Sequence, residues 1–224
     1  MNQINEVIQT ELIIVGAGGF AKEIFFLLDR VGTFTVLGFV DDNYQSLPKK
    51  MLGYPILGNL NYLNRISKGT AIAIGIANPR IKENIYNQHK SNENLFFPNI
   101  IDSTALIGKD VKFGIGNIIS PYTTFTAGIR IGDFNMINIH STIGHDCEIQ
   151  NYNSIYPNVN ISGNVKIGSY NEIGVGTKVI QNIKIGDENI LGAGSVVIKK
   201  VNDKKKLVGV PARVIESWDY NGRN

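Results

Sequence analysis

The residues best suited to chemistry cluster in NIHSTIGHDCEI, where His140 and His145 stand five apart and Asp146 and Cys147 follow directly. A neutral imidazole near pH 7 can take the proton released when an amine or hydroxyl attacks an acyl group. A carboxylate beside it stabilises the imidazolium that forms. Two imidazoles can also begin a metal site, but that needs a third ligand, and the only other histidine is His89. Cys147 has no activating neighbour evident in the sequence and reads as a packing residue. A second cluster lies near the N-terminus in GAGGFAKE, where Gly16, Gly18 and Ala21 fit G-x-G-x-x-G/A. Such a turn lets backbone N–H groups approach a phosphate at a helix N-terminus. Asp41 and Asp42 follow about 20 residues later, where a dinucleotide-binding chain carries its ribose acid.

The elements that must position these groups fall into two parts. TELIIVGAGGFAKEIFFLLDR reads as a buried strand, a glycine turn and an amphipathic helix. VLGFVDD and TAIAIGIANP read as further strands, the latter ending near Gly75, and RIKENIYNQHK reads as a helix. Alternating strands and helices imply a small parallel sheet that takes ligands at the strands' C-terminal ends. This predicts a Rossmann-like domain over residues 1–98, with Pro98 marking a change of period. An NAD-dependent dehydrogenase would use Asp41 or Asp42 for the ribose. The expected domain is half the usual dinucleotide size, however, and no hydride-transfer site is evident after it.

From Ala105 through Lys200 the chain divides into sixteen six-residue blocks without insertion, ALIGKD to SVVIKK. The third position is Ile, Val, Leu or Phe in every block, and the fourth is Gly in eight. This period suits neither an amphipathic helix nor a sandwich strand. It suits a short strand and a tight turn, three of which close one coil of a triangular prism. The third residue fills the axis, and glycine is expected to supply the backbone conformations of the corners. The fold class predicted is α/β plus β-solenoid, with residues 99–224 forming a left-handed parallel β-helix and the stretch after Lys200 a cap. His145, at a fifth block position, points away from the axis.

Composition narrows the function further. A formal charge of +3, spread along the chain, is too weak to make nucleic acid the main partner. One cysteine allows no internal disulfide, the apolar runs are too short to span a bilayer, and a cytoplasmic protein is expected.

GAGGFAKE, FVDD, STIGHDCEI, ISGNVKIG, GAGSVV and GVPARV, in this order, resemble the sialic acid O-acetyltransferase family. That family includes the sugar-nucleotide N-acetyltransferases of bacillosamine and perosamine pathways. The resemblance spans Glu11 to Ile215 and implies a homotrimer with acetyl-CoA as co-substrate in a groove between subunits. It implies that His145 is the general base and Asp146 its acidic partner, with direct transfer in a ternary complex and no metal. It implies further that Gly16, Ala17, Gly18, Asp41, Asp42 and Gly75 line a sugar-nucleotide site. Ser154, Gly174, Val175, Gly192 and Ala193 are implied to face acetyl-CoA, with Lys199, Lys200 and Lys204 to Lys206 near its phosphates.

Relatives acting on UDP-amino-sugars often carry histidine where this chain has Phe20 and Ser154, so the nucleotide stays open. Hexapeptide-helix carbonic anhydrases also hold zinc with two histidines five apart and a third from elsewhere in the helix; here the only other histidine precedes the repeat, so His140 reads as a groove-lining or merely exposed residue. The activity implied is N-acetylation of a nucleotide-linked amino-sugar for a surface glycan such as lipopolysaccharide or capsule. O-acetylation of a sialic-acid-like sugar and a non-catalytic sugar-nucleotide scaffold are the alternatives.

Overall fold

A computed structural model describes residues 9–218. By contacts the chain forms two units. One holds residues 9–76 with 88–98, and the other holds 77–87 with 99–218. The division departs from a single boundary at Pro98, because most of the second helix goes with the β-helix.

In the first unit, β1 (Thr10–Val15) lies at the centre of a sheet, its last four residues fully buried. It is flanked by β2 (Phe34–Val40) and by β5 (Thr70–Ile74), both parallel to it. A hairpin of β3 (Lys50–Met51) and β4 (Tyr54–Gly58) extends one edge, and β6 (Leu95–Phe96) closes the other, in the order β3-β4-β2-β1-β5-β6. Helix α1 (Gly19–Val31) buries Ala21, Ile24, Leu27 and Leu28, an i, i+3, i+6, i+7 stripe suited to covering a sheet. It ends at left-handed Gly32, whose N–H donates to the Leu28 carbonyl at 3.0 Å. The hairpin is an addition to the strands read from the sequence.

In the second unit every block contributes a two-residue strand, and each pairs in parallel with the strand 18 residues away. The strands stack into three faces. Face 1 runs from Ile100–Ile101 to Ile190–Leu191, face 2 from Leu106–Ile107 to Val196–Val197, and face 3 from Lys112–Phe113 to Lys184–Ile185. Third-position residues form one apolar column from Ile119 to Val197, most of it under 5% exposed. The strand Lys205–Val208 then extends face 1 and pairs with Arg213–Ser217, while Leu207 and Ala212 pack on the end of the column.

A second buried column runs beside the first. Asn99, Asn117, Asn135, Asn153, Asn171 and Asn189 recur every 18 residues, and each Oδ1 accepts the backbone and side-chain N–H groups of the next. The Asn189 oxygen accepts the Lys205 N–H instead, so the ladder passes into the cap. Since a buried unpaired amide costs about 1–3 kcal/mol, the ladder satisfies groups that every coil would otherwise strand.

The corners work differently from the sequence expectation. Left-handed φ occurs at the sixth block position, not the fourth, in fifteen of sixteen blocks: four times as glycine and eleven times as another residue. Fourth-position glycines are needed instead for close approach. A Cβ on Gly144 would stand 2.7 Å from the backbone of Ser162 and Gly163, one coil on.

Helix α2 (Pro79–His89) places residues 77–87 against the corner between faces 3 and 1. Sixth-position Phe134, Tyr152 and Tyr170 stack there 5.3 and 5.5 Å apart with nearly parallel rings. Tyr86 packs on Phe134, Glu83 accepts the Tyr170 hydroxyl at 2.7 Å, and Arg80 lies 3.8 Å above the Tyr170 ring while pairing with Glu188. Lys82 runs into the interior beside them.

Candidate active site

His145 and Asp146 occupy the fifth and sixth positions of the block STIGHD, at the corner between faces 2 and 3. Asp146 takes the left-handed φ of that position, +58°, which turns both side chains outward. His145 Nδ1 lies 2.8 Å from Asp146 Oδ2, with both side chains about two-thirds exposed. An ionised carboxylate only accepts, so in the neutral ring this bond puts the proton on Nδ1 and the lone pair on Nε2. That is the tautomer a general base requires. The backbone is fixed on both sides, Asp146 N–H donating to the Ala127 carbonyl and the His145 carbonyl accepting from Asn164 N–H.

The other expected groups of the second unit sit elsewhere. Gly174, Val175, Gly192 and Ala193 stack at the corner between faces 1 and 2. The N–H groups of Gly174 and Gly192 are taken by the Leu191 and Leu207 carbonyls, at 2.7 Å each. Those of Val175 and Ala193 make no bond among the described residues. Lower on this corner the column closes, since Ile139 N–H donates to Asn138 and Pro157 has no N–H.

Ser154 lies apart from that corner. It is fully buried on face 1, its hydroxyl is committed to the Ala77 carbonyl, and the Lys82 ammonium donates to it at 3.1 Å. A hydroxyl so covered is not free to meet a thioester. Lys82 was invisible as a site element in the sequence. It is buried, donates also to the Phe134 and Asn153 carbonyls at 3.0 and 3.2 Å, and burial pulls its pKa down to about 7 against the opposing charge of Glu172.

Cys147 is fully buried, its Sγ facing the Ser162 carbonyl, and burial raises its pKa, as befits a packing residue. His140 stacks on Tyr122 with centroids 5.2 Å apart. His89 is buried with Nδ1 2.9 Å from Asn64 Oδ1, and burial lowers its pKa. Among the described residues no three His, Cys, Asp or Glu side chains converge in a metal-holding group.

In the first unit, Gly16, Ala17, Gly18, Asp41 and Gly75 meet at the C-terminal ends of β1, β2 and β5, where the strand order reverses. Asp41 accepts Ala17 N–H on Oδ2 and Asn43 N–H on Oδ1, both at 2.8 Å, so its carboxylate holds the turn. Asp42 accepts Leu60 N–H at 3.1 Å. Gly16 has φ +96°, and a Cβ on Gly75 would lie 2.8 Å from Ala21 Cα, so these two glycines let turn, strand end and helix close up. Above Gly18 and Gly19 a Cβ would meet nothing within 4 Å, and no side chain caps the N-terminus of α1. Backbone donors therefore face open space, a fit for an anion such as a diphosphate. No helix among the described residues is long and apolar enough to cross a membrane.

A small Rossmann-like unit followed in sequence by a prism of hexapeptide coils carrying an outward His–Asp pair is the left-handed β-helix architecture of an acetyltransferase, and the chain is an enzyme of that class. Residues 11–89 match the family described as the PglD N-terminal domain. The acetyltransferase domain of PglB from Neisseria gonorrhoeae FA1090 is similar at TM-score 0.86 and 26% identity, over 92% of this chain and 100% of that one. A second structure of that domain is a complex with acetyl coenzyme A. PerB from Caulobacter crescentus, in complex with CoA and GDP-perosamine, is similar at 0.84 and 27%, over 93% and 98%. WeeI from Acinetobacter baumannii AYE is similar at 0.72 and 29%, over 92% and 100%. No curated protein matches the chain by sequence. The resemblance to sugar-nucleotide N-acetyltransferases read from the motifs is thus borne out.

Proposed function

We propose that this enzyme transfers the acetyl group of acetyl-CoA to the amino group of a nucleotide-linked amino-sugar. The carrying observation is the His145–Asp146 pair, with Nδ1 2.8 Å from the carboxylate and Nε2 turned away from it, on a fold shared with enzymes in complex with CoA and GDP-perosamine. The sugar amine attacks the thioester carbonyl, the C–N bond forms, and His145 Nε2 takes the proton the nitrogen loses. The C–S bond then breaks, and the departing CoA sulfur receives that proton from the imidazolium. Asp146 holds the ring and stabilises its charged form.

The open amides at the N-terminus of α1, on the turn held by Asp41, receive the sugar-nucleotide diphosphate. Gly16, Ala17, Gly18, Asp42 and Gly75 line that end of the sheet. The amides of Val175 and Ala193, between Gly174 and Gly192 and the outer coils, receive pantetheine. They stand at a different corner of the prism from His145, so an acetyl group bound there is served by the histidine of a second copy in a trimer.

The test offers acetyl-CoA with UDP-, GDP-, dTDP- and CMP-linked amino-sugars and follows thiol release. Turnover with one carrier, falling at least 100-fold in His145→Ala with fold and assembly intact, is the expected result. Undiminished turnover in that variant overturns the base assignment, and failure to bind acetyl-CoA overturns the transferase reading.

A further inference from the structure

The sixteen fifth block positions carry Lys, Ile, Pro, Ala, Asp, His, Asn, Ser, Val and Gln, but glycine only once, at Gly163. The backbone does not explain the exception, since Gly163 is not among the residues with left-handed φ. Its neighbour does. Gly163 lies 18 residues on from His145, directly over it on the next coil, and a Cβ there would stand 2.5 Å from Nε2 and 2.7 Å from Cε1 of the imidazole. One coil the other way, Gly128 faces Asp146, and its Cβ would stand 2.8 Å from Oδ1. Gly128 has φ +66°, but eleven other sixth positions accept that conformation without glycine, so space beside the carboxylate is the better reason. The pair is bracketed by two residues whose only shared property is the lack of a side chain toward it.

We infer that Gly163 is a positioning residue for the reaction, seating the His145 ring back along the corner where Nδ1 reaches Asp146. Gly128 leaves the matching space for the carboxylate. The inference rests on His145 as the base, and its test separates the two ideas. Gly163→Ala adds one methyl without backbone strain and meets only the far end of a side chain that can swing away. The ring then leaves its seat and Nε2 leaves the line of attack.

The expected result is a 10- to 100-fold loss of kcat with the KM for acetyl-CoA unchanged within about twofold. If Gly163→Ala turns over within twofold of wild type while His145→Ala is inactive, the positioning role is overturned and the base stands. If His145→Ala keeps its turnover, the base reading fails, and the seat is decided by melting temperatures. The methyl and the ring compete for one space, so any loss of melting temperature from Gly163→Ala disappears in the His145→Ala background. An equal loss in both backgrounds overturns the seat, and also covers a variant that folds poorly.

Discussion

Substituting Lys82 by methionine tests the interior contact between α2 and the prism. Three oxygens surround Nζ: the Phe134 and Asn153 carbonyls and the Ser154 hydroxyl. An ammonium can donate to all three, whereas a neutral amine has only two protons to give. Against those bonds stands burial, which brings the pKa from 10.5 to about 7. Where the native group has lost its proton and the unfolded one has kept it, unfolding takes up a proton and stability rises with pH. That window runs from about 7 to 10.5, and the stability gained is fully present above it and lost as pH falls through 7.

At about 1.4 kcal/mol per unit once past the native pKa, the wild type gains about 2 kcal/mol between pH 7 and pH 9, and Lys82→Met gains none of it. The assay is urea unfolding of both proteins at pH 7, 8 and 9 and one fixed concentration. It is followed by near-ultraviolet circular dichroism, to which the stacked Tyr152 and Tyr170 under the helix contribute. A stability difference that stays flat across these pH values refutes the reasoning. It would mean that the three oxygens and Glu172 keep the proton on despite burial.

Asn153→Ala removes one rung of the asparagine ladder: Asn135 Oδ1 keeps the residue-153 backbone N–H but loses the side-chain donor, the Gln150 carbonyl loses its amide partner, and the two Asn171 N–H groups lose their acceptor. The expected cost is about 3–6 kcal/mol by urea unfolding, and a cost below about 1 kcal/mol would show that the coils do not depend on it. Asp41→Ala frees the N–H groups of Ala17 and Asn43 and loosens the glycine turn. The KM for the sugar nucleotide is expected to rise about tenfold with that for acetyl-CoA unchanged. An unaltered sugar-nucleotide KM would detach the turn from substrate binding.

The period of six was fully legible because burial enforces it: a polar third residue would face the axis of every neighbouring coil. The glycine turn was legible for a similar local reason, since only backbone that close can offer its amides. What the sequence hid are relations at a spacing of 18, which local reading does not compare. Asparagine shares the first block position with Ala, Val, Thr, Ile, Ser and Cys, yet it recurs in every third block and forms a continuous column. Glycine at 163 looked like corner chemistry until the imidazole beneath it was placed.

The allegiance of α2 was hidden more deeply. Lys82 in RIKENIYNQHK has the pattern of a solvent-facing charge, and its acceptors include two backbone carbonyls 52 and 71 residues away, which no side-chain pattern announces. Ser154 follows from the same fact. A second-position residue faces outward in principle and looked available to a ligand, but at this coil the outward side is occupied by α2. At that position this chain has a buried hydroxyl bonded to the buried Lys82 side chain. The Ser154 side chain is therefore expected to take no part at the thioester. A Ser154→Ala variant that kept its turnover would agree with this, because only the helix contact would be lost.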